Sequence, residues 1–136
     1  MSRWEGLYCG PAPLPEELFW RWNLDPWAIA VVVALTLWAG RNRPGVAAGV
    51  VLAVAFLSPL CALSSALFSA RVVHHLLLVA VAAPLLALAR PARRPSGLGL
   101  PFVMASAALW LWHLPAAYDA ALGHMALYWV MQASLL

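Results

Sequence analysis

The chain has 136 residues, 65% of them hydrophobic and 10% charged, with a mean hydropathy of +0.84. A water-soluble domain cannot show that much apolar surface to solvent, so the composition excludes that class and predicts an integral membrane protein. The eight basic residues are all arginine and lie before or between the apolar stretches, so the net charge of +3 reports topology rather than a nucleic-acid surface.

Residues 1–26 form a polar and aromatic tail. It lacks the apolar core of a signal peptide and is interrupted by Pro11, Pro13 and Pro15. Trp4, Phe19, Trp20, Trp22 and Trp27 predict that its last part lies along a membrane interface, where amphipathic rings collect.

Five apolar runs follow, at residues 27–40, 46–61, 72–89, 98–114 and 124–136. A hydrocarbon core of about 30 Å needs about 20 helical residues, so the first four qualify as spans when their Trp, Gly and Ser flanks reach into the interfaces. The fifth would reach only about 20 Å, which predicts a truncated span in a fragment of a longer protein. The expected architecture is an all-α, polytopic transmembrane bundle over residues 27–136, with four full spans and a truncated fifth. Pro84 is expected to kink the third span, and Pro59 and Pro115 to mark span ends. The small-residue patterns are not expected to build a close helix seam, and Tyr118 and Asp119 read as a turn in a loop.

Orientation follows from arginine placement. The connections "RNRPG" and "RPARRPSG" hold five arginines and no acid, so both are expected on the cytoplasmic side. The tail, the connection near residues 62–70 and "PAAYDAALG" then face outward.

On this topology, His74, His75, His113, His124 and Cys61 all fall near the outer surface. Imidazole and thiolate at one depth suit copper or zinc, and soft ligands on an outer face favour Cu(I). Met125 adds a thioether. The plain alternative is that each histidine rests its ring on the helix end with its polar tip in headgroup water, and that Cys61 fills space. Neighbours on a helix point about 100° apart, so His74 and His75 cannot share one direction. If His75 faces the bundle, His74 turns towards a neighbouring helix or lipid headgroups. Arg71 stands one turn before His75, where its charge opposes protonation or metal binding. Cys9 and Cys61 lack CxxC spacing; they could pair, bind copper or do neither.

The stretch "SPLCALSSALFSARVVHHLLLVAVAAPLLALARP", followed by "WLWHLPAAYDAAL" and His124, resembles the multi-span CtaG-like family of cytochrome c oxidase assembly factors. The opening "WNLDPWAIAVV" also matches that family's first span. The resemblance implies a multi-pass protein of the bacterial inner membrane that helps mature the oxidase by handling copper on its outer face. It also implies His75, His113 and His124, with Cys61, as the metal set, and His74 and Met125 as lesser members. Three departures stand out: Arg71 occupies the position of a family histidine and His74 that of a glutamine, while Tyr128 stands where a later histidine is common. The expected function is therefore a non-enzymatic assembly factor that binds or delivers Cu(I), with oxidase subunits and the bilayer as partners and no nucleic acid. The alternative is a membrane scaffold or subunit that contacts the oxidase without metal.

Overall fold

The computed structural model describes residues 8–91, 97 and 99–136. The tail residues Arg3, Trp4 and Glu5, and Arg93 and Arg94 of the second arginine loop, lie outside the described residues. The chain divides into two units, Cys9–Pro91 and Ala92–Leu136 with Met1–Tyr8. All regular structure among the described residues is helical.

The first unit opens on a short 3₁₀ turn, Leu18–Trp20, and then carries four helices: α1 (Pro26–Ala39), α2 (Arg43–Leu57), α3 (Leu60–Ala66) and α4 (Phe68–Ala89). Local chemistry sets their starts. The Asp25 carboxylate accepts from the Trp27 amide at 3.1 Å, with Pro26 as the first helical residue. The Asn42 side-chain oxygen accepts from the Gly45 amide at 2.8 Å, with Pro44 in the first turn. Gly40, at φ 90°, ends α1 in a conformation that a side chain rarely adopts.

Helix α2 is the centre of this unit, packing against α1 on one side and α4 on another. Gly45, Ala48, Gly49 and Leu52 are buried at helical spacing along it. A Cβ added at Gly49 would lie 2.5 Å from Thr36 Oγ1 and 2.7 Å from Thr36 Cγ2, so the Thr36 side chain of α1 packs directly onto the α2 backbone at Gly49. The expectation that small residues build no seam is corrected at Gly49, which meets Thr36 of α1, while Gly45 packs against the Ala39 and Gly40 carbonyls where α1 ends. Phe56, Leu52 and Leu78 are fully buried at the α2–α4 contact.

Helix α4 is long and apolar enough to cross a membrane by itself, at 22 residues. Pro84 cannot donate to the carbonyl one turn before it, and its ring crowds that carbonyl. The helix accommodates this by widening to π geometry over Leu77–Ala82, directly ahead of the proline, and continues through to Ala89. The proline expected to kink the span is absorbed within it.

The other apolar runs are shorter or broken. Helix α1 has 14 residues, and α2 meets α3 at a 49° bend where Pro59 stands. In the second unit, α5 (Gly99–Trp112) meets α6 (Pro115–Gly123) at 79°, and α7 (Met125–Leu135) follows. The described residues thus carry one helix long enough to span, or up to three if each bent pair is one span, where the sequence led to an expectation of four full spans. Pro59 and Pro115 do mark breaks, as expected. The segment read as a loop around Tyr118 and Asp119 is helical instead: Pro115 is pre-set for a first turn and the Ala-rich stretch behind it favours helix.

The two ends of the first unit differ chemically. At one end, Asn42 Nδ2 donates to the Ala89 carbonyl (3.1 Å) and Arg90 Nε to the Trp38 carbonyl (2.8 Å), with the Arg90 guanidinium over the Trp38 ring. Arg41 and Arg43 belong to the same end, which holds no acid among the described residues. At the other end, the tail is fastened to the helices. Cys9 is disulfide-bonded to Cys61, Ser65 donates to the Gly10 carbonyl (3.3 Å), and Asn23 bonds to the C-terminus of α2.

Candidate functional site

Cys61, Arg71, His74 and His75 all lie toward the disulfide end of the first unit. Helix α3 brings Cys61 there because the break at Ser58 and Pro59 turns the chain immediately after α2. Cys61 is buried and its sulfur is bonded to Cys9, so while that bond is intact it offers no thiolate to a metal. The alternative left open by the spacing of the two cysteines is settled here as pairing.

Asn23 was not singled out from the sequence, yet it organises this end. Its backbone amide donates to the Leu57 carbonyl at 2.9 Å, and its Nδ2 donates to the Phe56 carbonyl at 3.1 Å and approaches Cys61 Sγ at 3.8 Å. Those carbonyls sit at the end of α2, where a helix has no internal donors left for them. The signal in the sequence was the only uncharged amide in the tail, placed two residues before a helix-capping aspartate.

The adjacent histidines take different environments. His74 is 3% exposed, with its ring edge-on to Phe56 at 5.4 Å between centroids, whereas His75 is only partly covered. The interior position therefore belongs to His74, and His75 lies toward the rim. Which of the two faces inward depends on how α4 is rotated against α2, and the 100° step alone leaves that open. Arg71 donates from Nε to the Ser64 carbonyl at 3.2 Å, tying the first turn of α4 back to α3.

His113, His124 and Met125 belong to the second unit, where all three are exposed. His113 closes α5, and its Nδ1 lies 2.7 Å from the Leu109 carbonyl. A carbonyl only accepts, so Nδ1 is the donor in this contact and Nε2 is the nitrogen that would face a metal. His124 precedes α7, so the nine-residue α6 lies between the two histidines and spaces them by about 13 Å of helix axis. Within either unit, no three His, Cys, Asp or Glu side chains among the described residues are grouped to hold one metal ion.

The second unit also buries two polar side chains on α7: Tyr128 and Gln132, one turn apart, are both nearly inaccessible. The Tyr8 ring stacks on Tyr128 at 4.6 Å, and Trp112 Nε1 donates to Ser134 Oγ at 2.8 Å, linking α5 to α7. A lone glutamine in an apolar run was the available sequence signal for this pair.

With these positions in hand, the comparison with known families bears on the first unit. Residues 45–96 match the cytochrome c oxidase caa3 assembly factor family. The matched stretch starts at Gly45 of α2 and takes in the rest of that helix, then α3 and α4. It includes Cys61, Arg71, His74 and His75, while His113, His124 and Met125 lie beyond it. The resemblance read from the sequence holds over this segment. No curated protein and no solved structure matches the chain.

Proposed function

We propose that the protein is a multi-pass membrane assembly factor for a cytochrome c oxidase, with its disulfide end on the outer face of the bacterial inner membrane. The observation that carries the reading is the family match over residues 45–96, the segment that packs as α2, α3 and α4. Two features of the first unit support the orientation independently. Arg41, Arg43 and Arg90 gather at one end, where the positive-inside rule wants the cytoplasm, and the Cys9–Cys61 disulfide is at the other, where an oxidising compartment preserves it. Outward-facing valines at 46, 50 and 54 suit lipid contact along α2. The role requires no covalent chemistry, and the family description names assembly rather than a reaction.

Copper enters this reading as cargo. His75, His113 and His124 are the side chains proposed to handle it, with Cys61 able to join only after reduction and His74 and Met125 as lesser candidates. The His113 contact with the Leu109 carbonyl supports such a use because it engages Nδ1 and leaves Nε2 to coordinate. The rival is a metal-free scaffold for the oxidase, and the engagement of Cys61 with Cys9 favours it.

Affinity purification from copper-replete and copper-starved cells tests the shared part: oxidase subunits co-purify in both. Absence of oxidase subunits, together with full oxidase assembly in cells lacking the protein, overturns it. Cu(I) titration against a competing chelator then separates the two versions. If copper is cargo, His75→Ala, His113→Ala and His124→Ala each weaken binding by at least about tenfold. Unchanged affinity in all three leaves the scaffold.

A further inference from the structure

The part of the first unit that the proposed function leaves unused is the tail. Residues 10–22 form a loop whose two ends are both fixed to the helices. At one end are the Cys9–Cys61 disulfide and the Ser65–Gly10 hydrogen bond; at the other, Asn23 holds the last two carbonyls of α2. Between these anchors the loop turns its largest apolar side chains outward. Trp20 is 85% exposed and Phe19 79%, with Leu14 and Trp22 also well exposed. The loop is shaped locally to do so: Leu18–Trp20 is a 3₁₀ turn, Trp22 Nε1 donates to the Phe19 carbonyl at 3.0 Å, and Arg21 pairs with Glu17 at 2.9 Å across the Phe19–Trp20 tip.

Four exposed large apolar groups on a loop fastened at both ends need an apolar or amphipathic neighbour. Two observations choose it. The exposed aromatics continue into Trp27 at the start of α1, and the exposed face of that helix carries Ile29, Val33 and Leu37 at spacing four along one edge and Trp27 with Trp38 along the other. The loop is thus the upward extension of the surface that α1 turns to acyl chains under the membrane reading, and it stands at the level where headgroups begin. Its charge is the second observation. One arginine, already paired, stands against Glu16, Glu17 and Asp25, so the loop has no free cation for anionic lipid.

We propose that the loop 10–22 is a pre-formed anchor that seats Phe19, Trp20 and Trp22 in the headgroup layer of a zwitterionic bilayer. Indole and phenyl rings supply the apolar body for that layer, and the Glu17–Arg21 pair and the loop backbone supply the polar side. Because both ends of the loop are fixed, little conformational freedom remains to be lost on insertion. The anchor rests on the membrane reading of α1, and on neither copper nor the oxidase.

The test uses the full chain, disulfide intact, in phosphatidylcholine nanodiscs with no other protein. The bromines are carried either near the headgroup end of the acyl chains or near their terminus. Subtracting the emission of Trp20→Phe, a mild change at an exposed position, isolates Trp20 from the other seven tryptophans. Trp20 emission is expected to be quenched about twofold more by the shallow bromines than by the deep ones, with no increase when anionic lipid is added. A Trp20 component untouched by bromines while the remaining tryptophans are quenched overturns the anchor and leaves the membrane reading standing. No quenching of any tryptophan overturns both. Bromine-insensitive Trp20 that becomes shielded from acrylamide only on adding oxidase assigns the loop to a protein partner and also overturns the anchor. Equal or stronger quenching by the deep bromines refutes the headgroup depth.

Discussion

Replacing Gly49 by alanine tests the close contact between α1 and α2. The new Cβ would stand 2.5 Å from Thr36 Oγ1, 2.7 Å from Thr36 Cγ2 and 3.2 Å from Thr36 Cβ. Both branches of the threonine are therefore too near, and rotating χ1 exchanges one clash for another. The rotamer is also held by the Thr36 Oγ1 hydrogen bond to the Val32 carbonyl at 2.7 Å. Relief requires α1 and α2 to separate, at a cost of about 1–3 kcal/mol for overpacking. Alanine recovers about 1 kcal/mol of helix propensity over glycine. With two atoms inside 3.0 Å, the net expectation is a loss of about 1–2 kcal/mol. The assay is reversible unfolding of the full chain in lipid–detergent micelles by increasing dodecyl sulfate, followed by circular dichroism. Thr36→Ala removes both clashing atoms, so the double variant should recover most of the loss, with a coupling of about 1 kcal/mol or more. Val50→Ala, on the exposed face one residue on, should be close to neutral. A Gly49→Ala chain as stable as the parent would show propensity winning over packing, and failure of Thr36→Ala to rescue would place the strain elsewhere; either result refutes the seam.

Two further outcomes concern the fastening of the tail. The Cys9–Cys61 bond closes 52 residues of sequence separation, so Cys9→Ser should lower stability by about 4 kcal/mol on the chain-entropy account. Thiol alkylation of the denatured, unreduced parent should add no mass, and addition of two alkyl groups would show the cysteines unpaired. Asn23→Ala removes the Nδ2 bond to the Phe56 carbonyl and should cost about 1 kcal/mol while leaving the backbone bond to Leu57 in place. Its clearer readout is limited proteolysis, where cleavage within residues 10–22 should quicken; an unchanged rate would show that Asn23 does not hold the loop.

Much of the helical layout was legible because apolar runs and prolines are local signals. The run at 72–89 became the core of α4, and breaks appeared at Pro59 and Pro115, where the missing amide stops a helix. Helix α6 was not legible, since "PAAYDAALG" is too polar for a span and its helicity rests on a proline start and alanine content rather than on any apolar face. The Gly49 contact was not legible because small residues four apart recur in an apolar, alanine-rich chain, and only packing shows which of them meets a partner. At the candidate site, the residue types were readable and their environments were not. Cys61 read equally well as ligand or filler, and only the folded tail brings Cys9 to it.

The sequence by itself determined the helical class, the apolar character of the chain and the segregation of arginine to two connections, because each depends on composition and on neighbours along the chain. It also carried the family segment, residues 45–96. Tertiary structure decided the pairing of Cys9 with Cys61, the burial of His74 in place of His75, and the outward presentation of Phe19 and Trp20. Those outcomes depend on how α4 is rotated against α2, and on where Asn23 meets the end of α2. Such rotations and long-range contacts are set by packing between segments distant in sequence, so no local pattern of residues encodes them.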